Sequence, residues 1–85
     1  MFIEIITPDK KIFEGEVISA IFPGTDGSFQ VLNNHAALIS TLGKGKINVV
    51  KTVGNKAEKV ELKVDGGVVE ILNNKVTVLA EKITE

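Results

Sequence analysis

An 85-residue chain that is 44% apolar and 25% charged has the composition of one small globular domain with a thin core. Its ten basic residues, all lysine, stand against 11 acids and leave a net charge of −1 with no basic stripe, which excludes nucleic acid as a partner. With no cysteine and a single histidine the chain suits a reducing compartment and is expected to hold no disulfide, metal or cofactor.

From the N-terminus, Met1-Phe2-Ile3-Glu4 lacks the basic start of a leader peptide. No later run approaches the ~20 apolar residues that cross a bilayer, so a soluble, unexported chain with no membrane insertion is expected. Turn-forming residues then arrive regularly: Pro8-Asp9, Gly15, Pro23-Gly24 with Asp26-Gly27, Asn33-Asn34, Gly43 to Gly45, Gly54-Asn55, Asp65-Gly66-Gly67 and Asn73-Asn74. Between them lie segments 2–7, 11–13, 17–22, 29–32, 36–42, 46–53, 56–64, 68–72 and 75–80, many rich in Val, Ile and Phe. They read as strands. Short strands at this spacing, without long amphipathic segments for helical crossovers, predict an all-β fold. The expected form is a flattened antiparallel β-sandwich or barrel of about nine to ten strands, a single domain over 1–85 with no repeat or linker.

Within 59–64 the alternation is clean, so Val60, Leu62 and Val64 should face the core. Segments 2–6, 17–22 and 76–79 differ, because period-two alternation places apolar side chains on both of their faces. Three outlets exist for this surplus: a nearly closed barrel with covering loops, scattered exposed aliphatics, or an outer apolar patch that docks a partner. The docking patch is the expectation.

Three features invite a chemical reading. Gly43-Lys44-Gly45-Lys46 lacks the distant glycine and the following Ser or Thr of a phosphate loop, and suits a tight strand connection needing positive φ. Glu14 and Glu16 flank Gly15 and could pair as hydrolase carboxylates, or could be solvated strand-edge charges. His35, with Asp26, Ser28 and Ser40 nearby, has no nucleophile elbow, which leaves a recognition role or a loop-stabilising one. No catalytic residue is assigned.

The segments "TPDKKIFEGEV", "PGTDGSFQVLNNHAALISTLGKG" and "NNKVTVLAE", in this order and spacing, closely resemble the N-terminal domain of the epsilon subunit of F-type, proton-translocating ATP synthase. The resemblance covers essentially the whole chain. It implies a non-catalytic rotor subunit at the foot of the central stalk, peripheral on the cytoplasmic face of a bacterial inner membrane. The gamma subunit and the c-subunit ring would be its partners. By the same resemblance Thr25, Asp26, Gly27 and Ser28 form a loop facing the c ring, while Thr7, Pro8, Asp9 and His35 face gamma. Where the family often has Glu, Gly, Pro-Gly and Pro, this chain has Ser28, Gln30, Asn33-Asn34 and Ala37, so the charge at position 28 is absent.

Most members continue into a helical hairpin that inhibits hydrolysis or binds ATP. A sequence that starts with Met and stops after the last strand is expected to be a naturally short form that does neither. A small ligand- or sugar-binding β-sandwich module is the alternative, although four Phe and no Trp or Tyr offer few aromatic platforms.

Overall fold

The computed structural model describes residues 1–84, and every described element is a strand. In chain order they are β1 (Phe2–Ile6), β2 (Lys11–Glu16), β3 (Ser19–Gly24), β4 (Gly27–Leu32), β5 (Leu38–Leu42), β6 (Gly45–Val53), β7 (Lys56–Val64), β8 (Gly67–Leu72), β9 (Lys75–Ala80) and β10 (Ile83–Thr84). They join into one ribbon of pairings folded on itself. One layer runs β10-β7-β6-β3-β4 and the other β5-β8-β9-β1-β2, meeting where Gly24 of β3 pairs with Leu42 of β5. With extents of 33 × 27 × 21 Å the domain is flattened, as expected for a sandwich.

One pairing departs from the antiparallel expectation. β1 lies parallel to β9, Ile3 beside Val76 and Ile5 beside Val78, while its other side pairs antiparallel with β2. β1 and β9 are distant in sequence, so no hairpin turn imposes the antiparallel direction on them.

Alternation builds the core. Ile3 and Ile5 of β1, Val76 and Val78 of β9, and Val69 and Ile71 of β8 are buried on the inner face of one layer. From the other layer Ala20, Phe22, Val31, Ile47, Val49, Leu62 and Val64 face them. The Phe22 and Phe29 rings, on a cross-strand pair, lie tilted with centroids 5.6 Å apart. Lys51 continues the inward series of Ile47 and Val49 to the margin of the core, where its ammonium sits 5.5 Å from the Phe13 ring centre.

Several boundaries shift from the sequence reading. Pro23-Gly24 and Gly27-Ser28 lie inside strands, so that only Thr25-Asp26 remains as the turn between β3 and β4. β2 runs on through Gly15 to Glu16, β3 begins at Ser19 rather than 17, and β5 begins at Leu38 rather than 36. β10, with two residues, lies in a segment too short to show any period. Gly43 and Gly45 do not need positive φ. Gly45 is instead required for space, because a Cβ there would come within 2.8 Å of the Pro23 Cβ.

Candidate interaction surface

The β3–β4 tip is built by a two-residue turn. Gly24 and Gly27 face each other across it, and Gly27 adopts φ +122°, which lets Thr25 and Asp26 keep negative φ while the chain rejoins the ladder. Thr25, Asp26, Gly27 and Ser28 are all exposed. The tip is nevertheless anchored. The Thr25 N–H donates to the Thr41 carbonyl at 3.1 Å, the Gly43 N–H donates to the Pro23 carbonyl at 2.8 Å, and the Thr25 and Thr41 hydroxyls lie 2.7 Å apart.

Thr7, Pro8 and Asp9 form the turn from β1 to β2. It is closed by the Thr7 N–H donating to the Lys10 carbonyl at 2.9 Å and by the Thr7 hydroxyl, which donates to the same carbonyl at 3.1 Å. Pro8 and Asp9 are exposed. This turn and the β3–β4 tip lie at the same end of the sandwich. Ile6 pairs with Leu79, Leu79 with Val68, Val68 with Thr41, and Thr41 bonds Thr25, so one row of side chains leads from turn to tip.

His35 is at the opposite end. Its N–H donates to the Leu32 carbonyl at 3.1 Å, and its Nδ1 lies 2.7 Å from the Ala36 carbonyl oxygen, an acceptor, so Nδ1 carries the proton. The loop around it is braced. The Asn74 Nδ2 and the Met1 α-amino group both donate to Asn33 Oδ1, at 2.8 and 3.1 Å, and the Asn34 N–H donates to Asn74 Oδ1 at 2.7 Å. Asn34, Asn73 and Asn74 take φ of 62°, 51° and 62°, a region that asparagine tolerates better than most residues. The residues assigned to one partner, Thr7 to Asp9 and His35, therefore flank β1 at its two ends.

Exposed apolar side chains occur on both layers: Ile18, Ile21, Leu32 and Val53 lie on or beside the β6-β3-β4 strands, and a second set gathers on the outer face of the β5-β8-β9-β1 layer. Ile39 is 70% exposed, Leu79 55%, Leu72 51% and Val68 37%, and Ile6 is half-buried beside Leu79. Two-sided alternation in 76–79 points to Leu79, and 68–72 carries the same signal for Val68 and Leu72; Ile39 gives none, because the only other outward residue of its strand is Thr41. Beyond this face Lys11 forms ion pairs with Glu14 and, at 3.1 Å, with Glu4, which Lys75 approaches at 3.8 Å. The hydrogen bond from Lys11 holds the Glu14 carboxyl below its ordinary pKa, and hydrogen bonds to Glu14 and Glu4 hold Lys11 above its own.

These contacts dispose of the chemical readings. Glu14 pairs with Lys11 and Glu16 forms an ion pair with the Met1 α-amino group at 3.3 Å, so the two carboxylates do not form a joint site. The 43–46 segment joins two strands, not a strand and a helix. No group of three metal-ligating side chains occurs among the described residues. Phe22 is buried and Phe2, Phe13 and Phe29 are half-buried, so no phenylalanine stands out as a platform for a sugar.

The whole chain, residues 1–85, matches the family model described as ATP synthase, Delta/Epsilon chain, beta-sandwich domain. The chain belongs to this family. Among its relatives, the ATP synthase epsilon chain of Leptospira interrogans is 41% identical over 80 residues, which are 93% of this chain and 59% of that protein. The epsilon chain of Chlorobium limicola is 38% identical over 82 residues, covering 96% of this chain and 90% of the relative. The chain thus spans about 59% of the length of the Leptospira relatives it matches. A chain in the Tetrahymena thermophila mitochondrial ATP synthase central stalk and c ring superposes with a TM-score of 0.79 at 18% identity, covering 99% of this chain and 65% of that one. One in the Euglena gracilis mitochondrial ATP synthase gives 0.83 at 20% identity, covering 96% and 51%. These two likenesses establish a shared fold. Among the described residues no helix is long and apolar enough to cross a membrane.

Proposed function

We propose that this chain is a non-catalytic subunit of the central stalk of an F-type ATP synthase, peripheral on the cytoplasmic face of a bacterial inner membrane. It would act as a wedge between gamma and the c ring that helps carry torque from proton transport to ATP synthesis. The observation that carries this reading is the apolar outer face around Leu79, Val68 and Ile39, on a sandwich whose own core is already filled. A filled core leaves that face to a partner, and family membership supplies the partner class.

In this reading Thr25, Asp26, Gly27 and Ser28 meet the ring, their small polar side chains and glycine-containing turn permitting close approach to another loop. Thr7, Pro8, Asp9 and His35 meet gamma. Because they flank β1, a gamma surface touching both must run the length of that strand, about 16 Å at ~3.3 Å per residue. A test is to strip membrane vesicles of their epsilon chain and add this one. Restored ATP-driven proton pumping is expected, and a rate equal to that of stripped vesicles would overturn the reading. Asp26→Ala probes the ring contact without touching Gly27, whose φ of +122° would be strained by any side chain.

A further inference from the structure

Each layer of the sandwich leaves two strands at its margins, and β4 is the least protected of these four. β10 is two residues long. β2 carries Lys11, Glu14 and Glu16 and shifts register against β1 between Ile5 and Ile6. β5 is tied at Thr41 and Leu42 to the end of β3. Charge, irregular register and brevity are the usual means by which edges avoid pairing with other chains. β4 has none of them: Gly27-Ser28-Phe29-Gln30-Val31-Leu32 is uncharged, unbroken, free of proline and paired only with β3.

Its hydrogen-bonding direction can be read from the hairpin. Gly24 and Gly27 close the two-residue turn, so Phe29 and Val31 bond across to Phe22 and Ala20, and the groups of Ser28, Gln30 and Leu32 point away from β3. The Ile18 N–H donating to the Val50 carbonyl at 2.7 Å, beside the Ser19–Val50 pair, fixes the same orientation from the opposite side of β3. Among the described residues the N–H and C=O of Ser28, the N–H and C=O of Gln30 and the N–H of Leu32 have no partner. Leu32 is 52% exposed, and Ile21, beside Gln30 on the outer face, is 38% exposed.

We propose that β4 is a strand-addition site, whose free edge receives an extended, uncharged segment of the gamma subunit as a further strand of its layer. Only extended backbone reproduces the period-two spacing of these donors and acceptors. A charge on the segment opposite Leu32 or Gln30 would be desolvated without a counter-ion, since β4 and its neighbour β3 supply none. The inference rests on the stalk reading, and it goes to gamma because the edge runs along the flank from the tip to Asn33–His35 while the ring contact is confined to the tip.

Hydrogen exchange on the chain, alone and in complex with purified gamma, is the test. The Ser28, Gln30 and Leu32 amides should slow by at least ~10-fold on binding, while Phe29 and Val31 are protected in both states. Gln30→Pro removes an N–H that β3 does not use, and should weaken gamma binding about 10-fold with Gln30→Thr near wild type. A complex in which the three amides exchange at free-chain rates overturns the proposal and leaves the stalk reading intact. No complex at all overturns both. Protection that grows with concentration in the chain alone assigns the edge to a second copy of this chain and overturns gamma as its occupant.

Discussion

The hydroxyls of Thr25 and Thr41 lie 2.7 Å apart at the point where one layer of the sandwich passes into the other. Together with the Thr25 N–H bond to the Thr41 carbonyl, this contact makes the β3–β4 tip a rigid projection. Thr41→Val removes the hydroxyl pair and keeps the backbone bond. It should cost about 0.5–1 kcal/mol, the low end for a hydrogen bond because both groups are exposed, measured as a shift in the urea midpoint with an unchanged slope. The Thr25 and Asp26 amides should exchange faster while core amides do not.

Leu79 stands outward between Val68 and Ile6, and its removal from the apolar row should separate binding from folding. At 55% exposure Leu79→Asp should change stability by no more than about 0.5 kcal/mol. Gamma binding should weaken at least ~10-fold, since the substitution places an unpaired charge in a desolvated contact. Titration calorimetry and a thermal melt on the same sample separate the two effects.

Gly67 opens β8 with φ +146°, and a Cβ there would sit 2.3 Å from the Leu79 carbonyl oxygen and 2.9 Å from the Ala80 Cα. Both neighbours are backbone of a paired strand and cannot yield cheaply. Gly67→Ala should therefore destabilise by about 2–4 kcal/mol, combining left-handed strain with overpacking. Chemical denaturation is the measurement, and a loss below 0.5 kcal/mol would mean that β8 and β9 separate more easily than their register suggests.

The Lys11–Glu14–Glu4 cluster fixes the sign of a pH effect. Glu14 is held low, so its contribution is present above its unfolded pKa and is lost as pH falls through the depressed folded value. Lys11 is held high, so its contribution is complete below its unfolded pKa and is lost as pH rises through the raised folded one. The contribution of this cluster should be constant through neutrality, with shallow losses below about pH 4 and above about pH 10.4. Lys11→Met should flatten both flanks, and 1 M salt should do much the same because these groups are exposed.

Strand identity was the most legible part of the fold. β6, β7, β8 and β9 appear within a residue of their expected bounds because each is bounded by a turn of Gly or Asn. What alternation cannot carry is pairing: the parallel contact of β1 with β9 joins residues more than 70 positions apart, and no local period reports it. Turn residues are ambiguous where they also act inside strands, as Pro23, Gly24 and Gly27 do: Gly27 supplies the positive φ of the reversal, while Gly24 permits close approach, since a Cβ there would meet the Gly27 carbonyl oxygen at 2.6 Å. For the site, alternation in 76–79 pointed to Leu79. Nothing in a linear pattern could say that Thr7–Asp9 shares an end with Thr25–Asp26 while His35 lies at the other.

Docking of the outer apolar face on gamma is the central claim, and co-elution tests it most directly. Mixed with purified gamma at micromolar concentrations and passed over a sizing column, this chain should leave its own position and travel with gamma as a one-to-one complex, whereas the Leu79→Asp chain should stay behind. Separate elution of the unmodified chain, or equal co-elution of both, would contradict the account.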